Sequence, residues 1–230
     1  MTKTEYEILL FDADRTLFDF DRGEEKALSV LMASIGHPLT PEAFALYREI
    51  NSRLWAEFER GERNNASIAP TRFHLFFSHL DIALDADRAA ENYLALLGEQ
   101  RFLLPGAYEL IEKLFGRFDM YLATNGIASV QKNRFAKSEL APFFKGIFIS
   151  EELGAAKPDP EYYRRALEKI GSPDRRRILA IGDSPGADIR GANNAGIDAC
   201  YYNPGKKPMP QGIWAKYTVA DLGQIREILL

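Results

Sequence analysis

Two aspartates, Asp12 and Asp14, are the first residues along the chain whose types and spacing could do chemistry. They follow a short apolar run from Tyr6 to Phe11, which is typical of a buried strand that leads into a loop. Carboxylates this close repel each other unless a cation or a proton compensates their charge. The pair indicates a metal site or an acid/base couple, although in isolation a solvated turn would be the preferred explanation.

A second acidic segment favours a metal site over a solvated turn. Gly182 and Asp183 end another apolar run, and Asp188 follows five residues later. With the first pair, four carboxylates would then meet at neighbouring strand ends. Such a cluster is a hard oxygen site of the kind that Mg²⁺ prefers, with coordination positions left for water and a substrate phosphate.

Two further segments supply groups that suit an anion. Lys157 alone would be read as a surface lysine, but its place between two acidic strand ends favours a functional cation. The triplet Thr124-Asn125-Gly126 precedes a predicted helix, whose N-terminus can bind an anion through its free N–H groups and its dipole. Together the four segments describe a phosphate flanked by donors, a cation and a carboxylate nucleophile.

The elements that must position these residues form two groups. From about Gly23 to Gly98 the apolar residues follow helical spacing, which predicts about four helices and no strand. After Pro105-Gly106 helical and strand patterns alternate, the rhythm of βα units around a parallel sheet. The predicted helices are 107–115, 127–137, 160–170 and 186–195, and the predicted strands are 119–124, 146–150, 177–182 and 198–202. Active sites in such sheets lie outside the carboxyl ends of the strands, where the polar segments fall.

Composition limits the class of protein. The 230 residues allow one domain or two unequal ones, and the net charge of −4 argues against a nucleic-acid polymer as partner. No stretch reaches the roughly 18 apolar residues of a membrane span, and the first apolar run is too short for an export signal. The single cysteine, Cys200, excludes an intramolecular disulfide and is expected to be a buried thiol in a reducing compartment. We therefore expect a cytoplasmic enzyme without a membrane partner.

The four segments, in this order, resemble the four motifs of the haloacid dehalogenase-like (HAD) hydrolases. The matching positions are Asp12-x-Asp14-x-Thr16, Thr124-Asn125-Gly126, Lys157-Pro158 and Gly182-Asp183-x4-Asp188. The resemblance implies an α/β fold, a Rossmann-like parallel sheet with an inserted four-helix cap. We expect residues 1–17 and 100–230 to form the core domain and residues 18–99 to form the cap.

The resemblance also implies a mechanism. Asp12 would attack phosphorus to form an aspartyl phosphate, and Asp14 would protonate the leaving oxygen and then activate water. Mg²⁺ would be held by Asp12, the backbone carbonyl of Asp14 and Asp183.

The remaining motif residues would bind the substrate phosphate or support those that do. Thr16, Thr124, the backbone of Asn125 and Lys157 would hold the phosphoryl oxygens, and Asp188 would orient Lys157 or a metal-bound water. The family's dehalogenases lack the second aspartate, since a halide leaves without a proton. Asp14 therefore points to a phosphatase.

Details outside the motifs resemble the pyrimidine 5′-nucleotidases of the YjjG type, among them Leu54-Trp55 and Asn194-Ala195-Gly196. This implies a pyrimidine nucleoside monophosphate (dUMP, dTMP or UMP) as substrate. The aromatic residues that could contact its base are Phe18, Phe20, Trp55 and Phe58, although a place in the hydrophobic core of the cap explains each of them better. Arg15 departs from the family, which commonly has Gly, Asp or Glu at this position. Its side chain either points away from the crevice or adds a positive charge near the cap entrance that alters substrate choice.

Other functions stay open at this level. A sugar-phosphate or phosphoglycolate phosphatase would share the core and differ in the cap. A signalling module similar to a response-regulator receiver would also use an Asp cluster, Mg²⁺, Thr and Lys, but receivers are about half this length and place the phosphoacceptor after a later strand. An inert family member that acts as a binding protein is disfavoured because all motif residues are intact. The sequence leaves the oligomeric state undetermined.

Overall fold

The computed structural model describes residues 6–230. These residues form two compact units. The α/β unit comprises the chain up to Asp19, Phe102–Ala128 and Lys137–Leu230, and the helical unit comprises Phe20–Arg101 and Ser129–Ala136.

The α/β unit is built on one six-stranded sheet. Its strands are β1 (Ile8–Phe11), β2 (Asp119–Thr124), β3 (Gly146–Ile149), β4 (Ile178–Gly182), β5 (Asp198–Tyr202) and β6 (Tyr217–Val219). They are all parallel, in the order β3-β2-β1-β4-β5-β6. The predicted α/β fold with a parallel sheet is therefore confirmed.

The central position of β1 follows from its sequence. All four of its residues are apolar and buried, as expected of a strand with both sheet faces covered. β2 and β4 flank β1, and Phe11 pairs with Leu122 on one side and Ile181 on the other. The carboxyl ends of these three strands consequently lie side by side.

The helices of the α/β unit are α5 (Ala107–Leu114), α7 (Ser150–Leu153), α8 (Pro160–Glu168), α9 (Arg190–Ala195) and α10 (Leu222–Leu229). The helical unit contains α1 (Phe20–Ser34), α2 (Pro41–Glu59), α3 (Ile68–His79), α4 (Ala86–Gly98) and all but the first residue of α6 (Ala128–Ala136). The four helices before residue 99 agree with the helical spacing of that region.

Most bounds differ from the predicted ones by no more than two residues, and three differences are larger or change the type of element. The expected helix 186–195 is a π-helical turn, Pro185–Ile189, followed by α9. The strand predicted over 146–150 ends at Ile149, because Ser150 begins α7. The strand β6 and the helix α10 were not predicted, since β6 has only three residues and pairs at the edge of the sheet.

A buried polar chain crosses the core of the helical unit. Arg72 of α3 donates from Nη1 to Oδ1 of Asn51 (2.6 Å), and Asn51 of α2 donates from Nδ2 to Oε1 of Glu24 in α1 (2.7 Å). The guanidinium lies 5.2 Å from the ring centroid of Tyr47 and 4.9 Å from that of Tyr93. These three polar side chains, each at most 5% exposed, thus link three helices.

Of the helices within residues 6–230, none has the length and apolar character of a membrane span.

Candidate active site

The register of the sheet brings the sequence motifs to one edge. Asp12 directly follows β1 and extends its ladder, because its N–H donates to the carbonyl of Ile181 at 2.8 Å. Thr124 is the last residue of β2, and Asp183 directly follows β4. Three segments that are far apart in the chain therefore end next to one another.

The ammonium of Lys157 lies at the centre of this edge. Its Nζ donates to Oδ1 of Asp12 (2.8 Å), to Oδ1 of Asp188 (2.6 Å) and to the carbonyl of Ala123 (2.6 Å). The lysine is 2% exposed. Burial by itself lowers the pKa of Lys157, but the negative charges of Asp12 and Asp188 outweigh burial and raise it well above its usual value. The site thus holds a buried, charged ammonium beside the predicted nucleophile.

Three carboxylates converge around this ammonium. Oxygen atoms of Asp12, Asp183 and Asp188 lie within 4.8 Å of one another. Three of the four carboxylates expected to meet thus lie in this group; Asp14 is not a member, although its charge acts on Asp183. One ammonium cannot neutralise three carboxylates. The donor set therefore fits a hard divalent cation, which would compensate the excess charge.

The excess of negative charge also affects the pKa values of the aspartates. Burial raises the pKa of Asp12 well above its usual value, and the charges of Asp188 and Asp183 add to this while Lys157 opposes it. Burial and the charge of Asp188 raise the pKa of Asp183 to about 7, against the lowering effect of Arg15. Without a metal ion the cluster thus favours taking up a proton.

Gly182 makes room for Asp188. A Cβ atom built on Gly182 would lie 2.3 Å from Cγ of Asp188, so no other residue fits beneath that carboxylate. The second oxygen of Asp188 accepts from the N–H of Ser184 at 3.0 Å, and the hydroxyl of Ser184 accepts from the N–H of Ala187 at 3.1 Å. Of the two roles expected for Asp188, the structure contains the contact with Lys157.

A hydrogen bond within the segment Thr124-Asn125-Gly126 stabilises the loop after β2. Oγ1 of Thr124 accepts from the N–H of Gly126 at 3.0 Å and keeps one O–H to donate. The structure supports the anion site expected at the following helix only in part, because one of its N–H groups already has a partner within the protein. The N–H of Ala128, the first residue of α6, donates to Oε2 of Glu151 at 2.6 Å, so a protein carboxylate already occupies that donor.

Asp14, Arg15 and Thr16 lie in the loop after β1. Thr16 is fully buried, and among residues 6–230 its Oγ1 has no hydrogen-bond partner. Asp14 is partly exposed, and Arg15 is exposed. Arg15 adopts a left-handed backbone (φ 62°), its N–H donates to the carbonyl of Phe18 at 2.9 Å, and its charge reaches Asp183.

The aromatic residues expected in the cap have different environments. Phe18 belongs to the α/β unit and is 1% exposed, so its assignment to the cap is wrong; an isolated bridge to Leu103 fixes its backbone. Phe20 lies at the start of α1 and is partly exposed. Trp55 and Phe58 of α2 are also partly exposed, and their rings meet edge to face with centroids 5.5 Å apart.

Reasoning from the sequence named Asn125 as a phosphate ligand but missed two contacts of the site. The side chain of Asn125 binds the main chain of Lys157, and Glu151 occupies the N–H of Ala128. Both contacts join residues that are more than twenty positions apart, and no local pattern signals them.

Comparison with known proteins agrees with this arrangement. The family model for haloacid dehalogenase-like hydrolase matches residues 6–196. The chain is 38% identical to HAD-hydrolase YfnB of Bacillus subtilis, covering 97% of this chain and 95% of YfnB. A crystal structure of YfnB, bound to magnesium, superposes with a TM-score of 0.92 at the same identity and covers 97% of this chain and 98% of that one.

Two relatives carry names that specify a substrate class. The chain is 40% identical to pyrimidine 5′-nucleotidase PynA of Streptococcus pneumoniae, over 86% of this chain and 84% of PynA. It is 32% identical to pyrimidine 5′-nucleotidase YjjG of Escherichia coli, over 96% of each protein. With the family match and the sheet topology, these similarities establish that the chain belongs to the haloacid dehalogenase-like hydrolases.

Proposed function

We propose that this protein is a magnesium-dependent phosphatase that hydrolyses pyrimidine nucleoside monophosphates through an aspartyl-phosphate intermediate. The observation that carries the proposal is the convergence of Asp12, Asp183 and Asp188 on the buried ammonium of Lys157. Similarity to PynA and YjjG supports the substrate class.

In the first step an oxygen of Asp12 forms a bond to phosphorus while the ester P–O bond breaks. Asp14 gives its proton to the departing oxygen, so the nucleoside leaves as a neutral alcohol. Asp14 is a candidate for this role because it follows the proposed nucleophile by two residues and is partly exposed, whereas Asp12 is 9% exposed.

In the second step Asp14, now ionised, takes a proton from water while the water oxygen bonds to phosphorus. The bond between Asp12 and phosphorus breaks, which releases inorganic phosphate and restores the carboxylate of Asp12 and the protonated carboxyl group of Asp14. Lys157 stays protonated throughout and offsets the negative charge that develops on the phosphoryl oxygens. Thr16, Thr124 and the backbone of Asn125 are proposed as further phosphate ligands.

Asp12, Asp183 and the backbone carbonyl of Asp14 are proposed to hold Mg²⁺. When bound, this ion would neutralise the acidic cluster and lower the charge repulsion that a phosphate dianion meets there. Asp188 is assigned to Lys157 because both of its oxygens already accept hydrogen bonds, from Nζ of Lys157 and from the N–H of Ser184.

The helical unit is proposed to serve as the cap that selects the leaving group. Trp55 and Phe58 are its best candidates for contact with a flat base, since both rings are partly exposed. The protein is expected to act on free small molecules in the cytoplasm.

A substrate panel tests the proposal. Phosphate release is measured from dUMP, dTMP, UMP, purine monophosphates, sugar phosphates and phosphoglycolate, with Mg²⁺ or with a chelator, and with the Asp12→Asn variant as the blank. Chelator-sensitive release that favours the pyrimidine nucleotides supports the proposal. Preference for a sugar phosphate or phosphoglycolate would retain the chemistry and overturn the substrate, and no release from any compound would contradict both.

A further inference from the structure

The side-chain amide of Asn125 makes two hydrogen bonds to the main chain of Lys157. Nδ2 of Asn125 donates to the carbonyl of Lys157 at 2.8 Å, and the N–H of Lys157 donates to Oδ1 of Asn125 at 2.9 Å. The two residues are 32 positions apart, one after β2 and the other in the loop between α7 and α8. One end of the amide is an acceptor and the other a donor, so the pairing fixes both the position and the orientation of the lysine peptide.

This pairing has a consequence for the ammonium. A lysine side chain has four rotatable bonds, and holding it in one conformation is entropically costly. Nζ of Lys157 nevertheless meets three acceptors at 2.6 to 2.8 Å within a buried site. These contacts can form together only if the main chain from which the side chain extends is held in place.

The next residue is held in the same way. Nδ2 of Asn194, in α9, donates to the carbonyl of Pro158 at 3.0 Å. Gly191 of the same helix permits this approach, because a Cβ atom there would lie 3.3 Å from Cα of Pro158 and 3.0 Å from the ring of Tyr163. Two amides, one directly after β2 and one in α9, thus anchor consecutive residues of the lysine loop.

We propose that the side chain of Asn125 is a positioning residue, which acts on the reaction through the main chain of Lys157 and does not bind the substrate phosphate. The inference rests on the proposed phosphatase activity for its catalytic consequence. Its structural consequence, the confinement of Lys157, is independent of that activity.

The first test measures confinement directly. Lysine acetylation by an N-hydroxysuccinimide ester is followed residue by residue by mass spectrometry in the wild type and in Asn125→Ala. Lys157 reacts slowly in the wild type because it is buried and protonated. Loss of the amide pairing should raise its rate by at least ~10-fold through local opening, with the rates of the exposed lysines unchanged.

The matched control is Asn193→Ala. The amide of Asn193 makes the same two contacts with the main chain of Trp214, donating to its carbonyl at 3.0 Å and accepting from its N–H at 3.2 Å. Trp214 is 57% exposed and has no place in the proposed mechanism. This variant loses an equivalent pair of hydrogen bonds and should leave both the labelling of Lys157 and the activity unchanged.

The second test is a double-mutant cycle on turnover. Asn125→Ala should lower kcat by about 100-fold, the scale of a misplaced catalytic group, with a smaller effect on KM. In a Lys157→Met background the same substitution should have almost no further effect, because the group through which it acts is gone.

The outcomes separate the two proposals. Unchanged labelling of Lys157 in Asn125→Ala, or a full further loss of kcat in the Lys157→Met background, would overturn the positioning role. Faster labelling in a protein whose wild type hydrolyses no phosphate ester would uphold the confinement of Lys157 and contradict the proposed function instead.

Discussion

Nζ of Lys157 lies 2.8 Å from Oδ1 of Asp12, a residue 145 positions earlier in the chain. The contact forms because β1 lies between β2 and β4, so that the residue after β1 faces the loop that carries the lysine. The ammonium is shared with Asp188, which reaches it only because Gly182 has no side chain. The topology of the sheet thereby fixes the relative positions of the proposed nucleophile, the ammonium and the carboxylate of Asp188.

Asp12→Asn should reduce phosphate release by at least about 10³-fold, because the amide has nearly the same shape but cannot form the phosphoryl bond. The fold should persist, since the amide oxygen can still accept a hydrogen bond from Lys157. Steady-state kinetics and circular dichroism check these points. Asp119→Asn is the control, as Asp119 begins β2 and is partly exposed. Substantial turnover by Asp12→Asn would refute the covalent mechanism.

Asp183→Asn should raise the Mg²⁺ concentration needed for half-maximal activity by at least ~10-fold, because a charged oxygen ligand becomes neutral. A chelator should abolish the activity of the wild type, and added Mg²⁺ should restore it. Magnesium titration of the rate, supported by calorimetry, is the measurement. The same magnesium dependence in variant and wild type would show that Asp183 is not a ligand.

Gly182→Ala should lower the free energy of unfolding by about 1 to 3 kcal/mol, because the new Cβ would displace the carboxylate of Asp188. Activity should fall as well, since Asp188 would lose its contact with Lys157. Gly146→Ala is the matched control in β3, where the nearest atom to a new Cβ is 3.7 Å away. Urea unfolding of both variants gives the comparison, and equal stabilities would refute the steric argument.

Arg72→Met should destabilise the protein by about 3 kcal/mol, because it removes the cation from a buried polar chain and leaves the partners Asn51 and Glu24 without it. Arg60→Met is the control, since the ion pair between Arg60 and Glu62 is exposed and should contribute nothing measurable. Denaturant unfolding checks both variants. A neutral Arg72→Met would mean that methionine packs among the aromatic rings as well as the guanidinium does.

Cys200 should resist thiol reagents while the protein is folded. Burial raises the pKa of its thiol to about 12, so almost no reactive thiolate exists at about pH 8. Because the folded pKa lies above that of the unfolded chain, the thiol's contribution to stability is complete below about pH 9 and is lost as the pH rises towards 12. Alkylation by iodoacetamide, with and without guanidinium, is the measurement. Equal rates in the two conditions would contradict the buried environment.

The predicted order of elements was largely correct because it rests on local patterns. The buried run before Asp12 could only be a strand with both faces covered, and it is β1. Thr40-Pro41 marks the start of α2, where Oγ1 of Thr40 accepts from the N–H of Ala43 at 3.2 Å. The three-residue strand β6 was missed because so short a segment carries no period.

The candidate site, too, could be predicted from the sequence only in part. Residue types and their positions at strand ends are enough to identify Asp12, Lys157 and Asp183 as site residues, since parallel strands bring their carboxyl ends to one edge. Which of the four carboxylates lie within 4.8 Å of one another was not predictable, because that depends on the conformation of the loops after β1 and β4. The hydrogen bond from the N–H of Ala128 to Glu151 was not predictable from the sequence either.

The sequence by itself determined the family, the parallel sheet and the set of candidate site residues, because composition, hydrophobic period and motif order can all be read along the chain. The tertiary structure alone decided which of those residues touch. Asn125 meets the main chain of Lys157, and Lys157 meets Asp12 and Asp188, across separations of 31 to 145 residues. Such contacts depend on strand order and register, and these are set by the packing of the whole sheet.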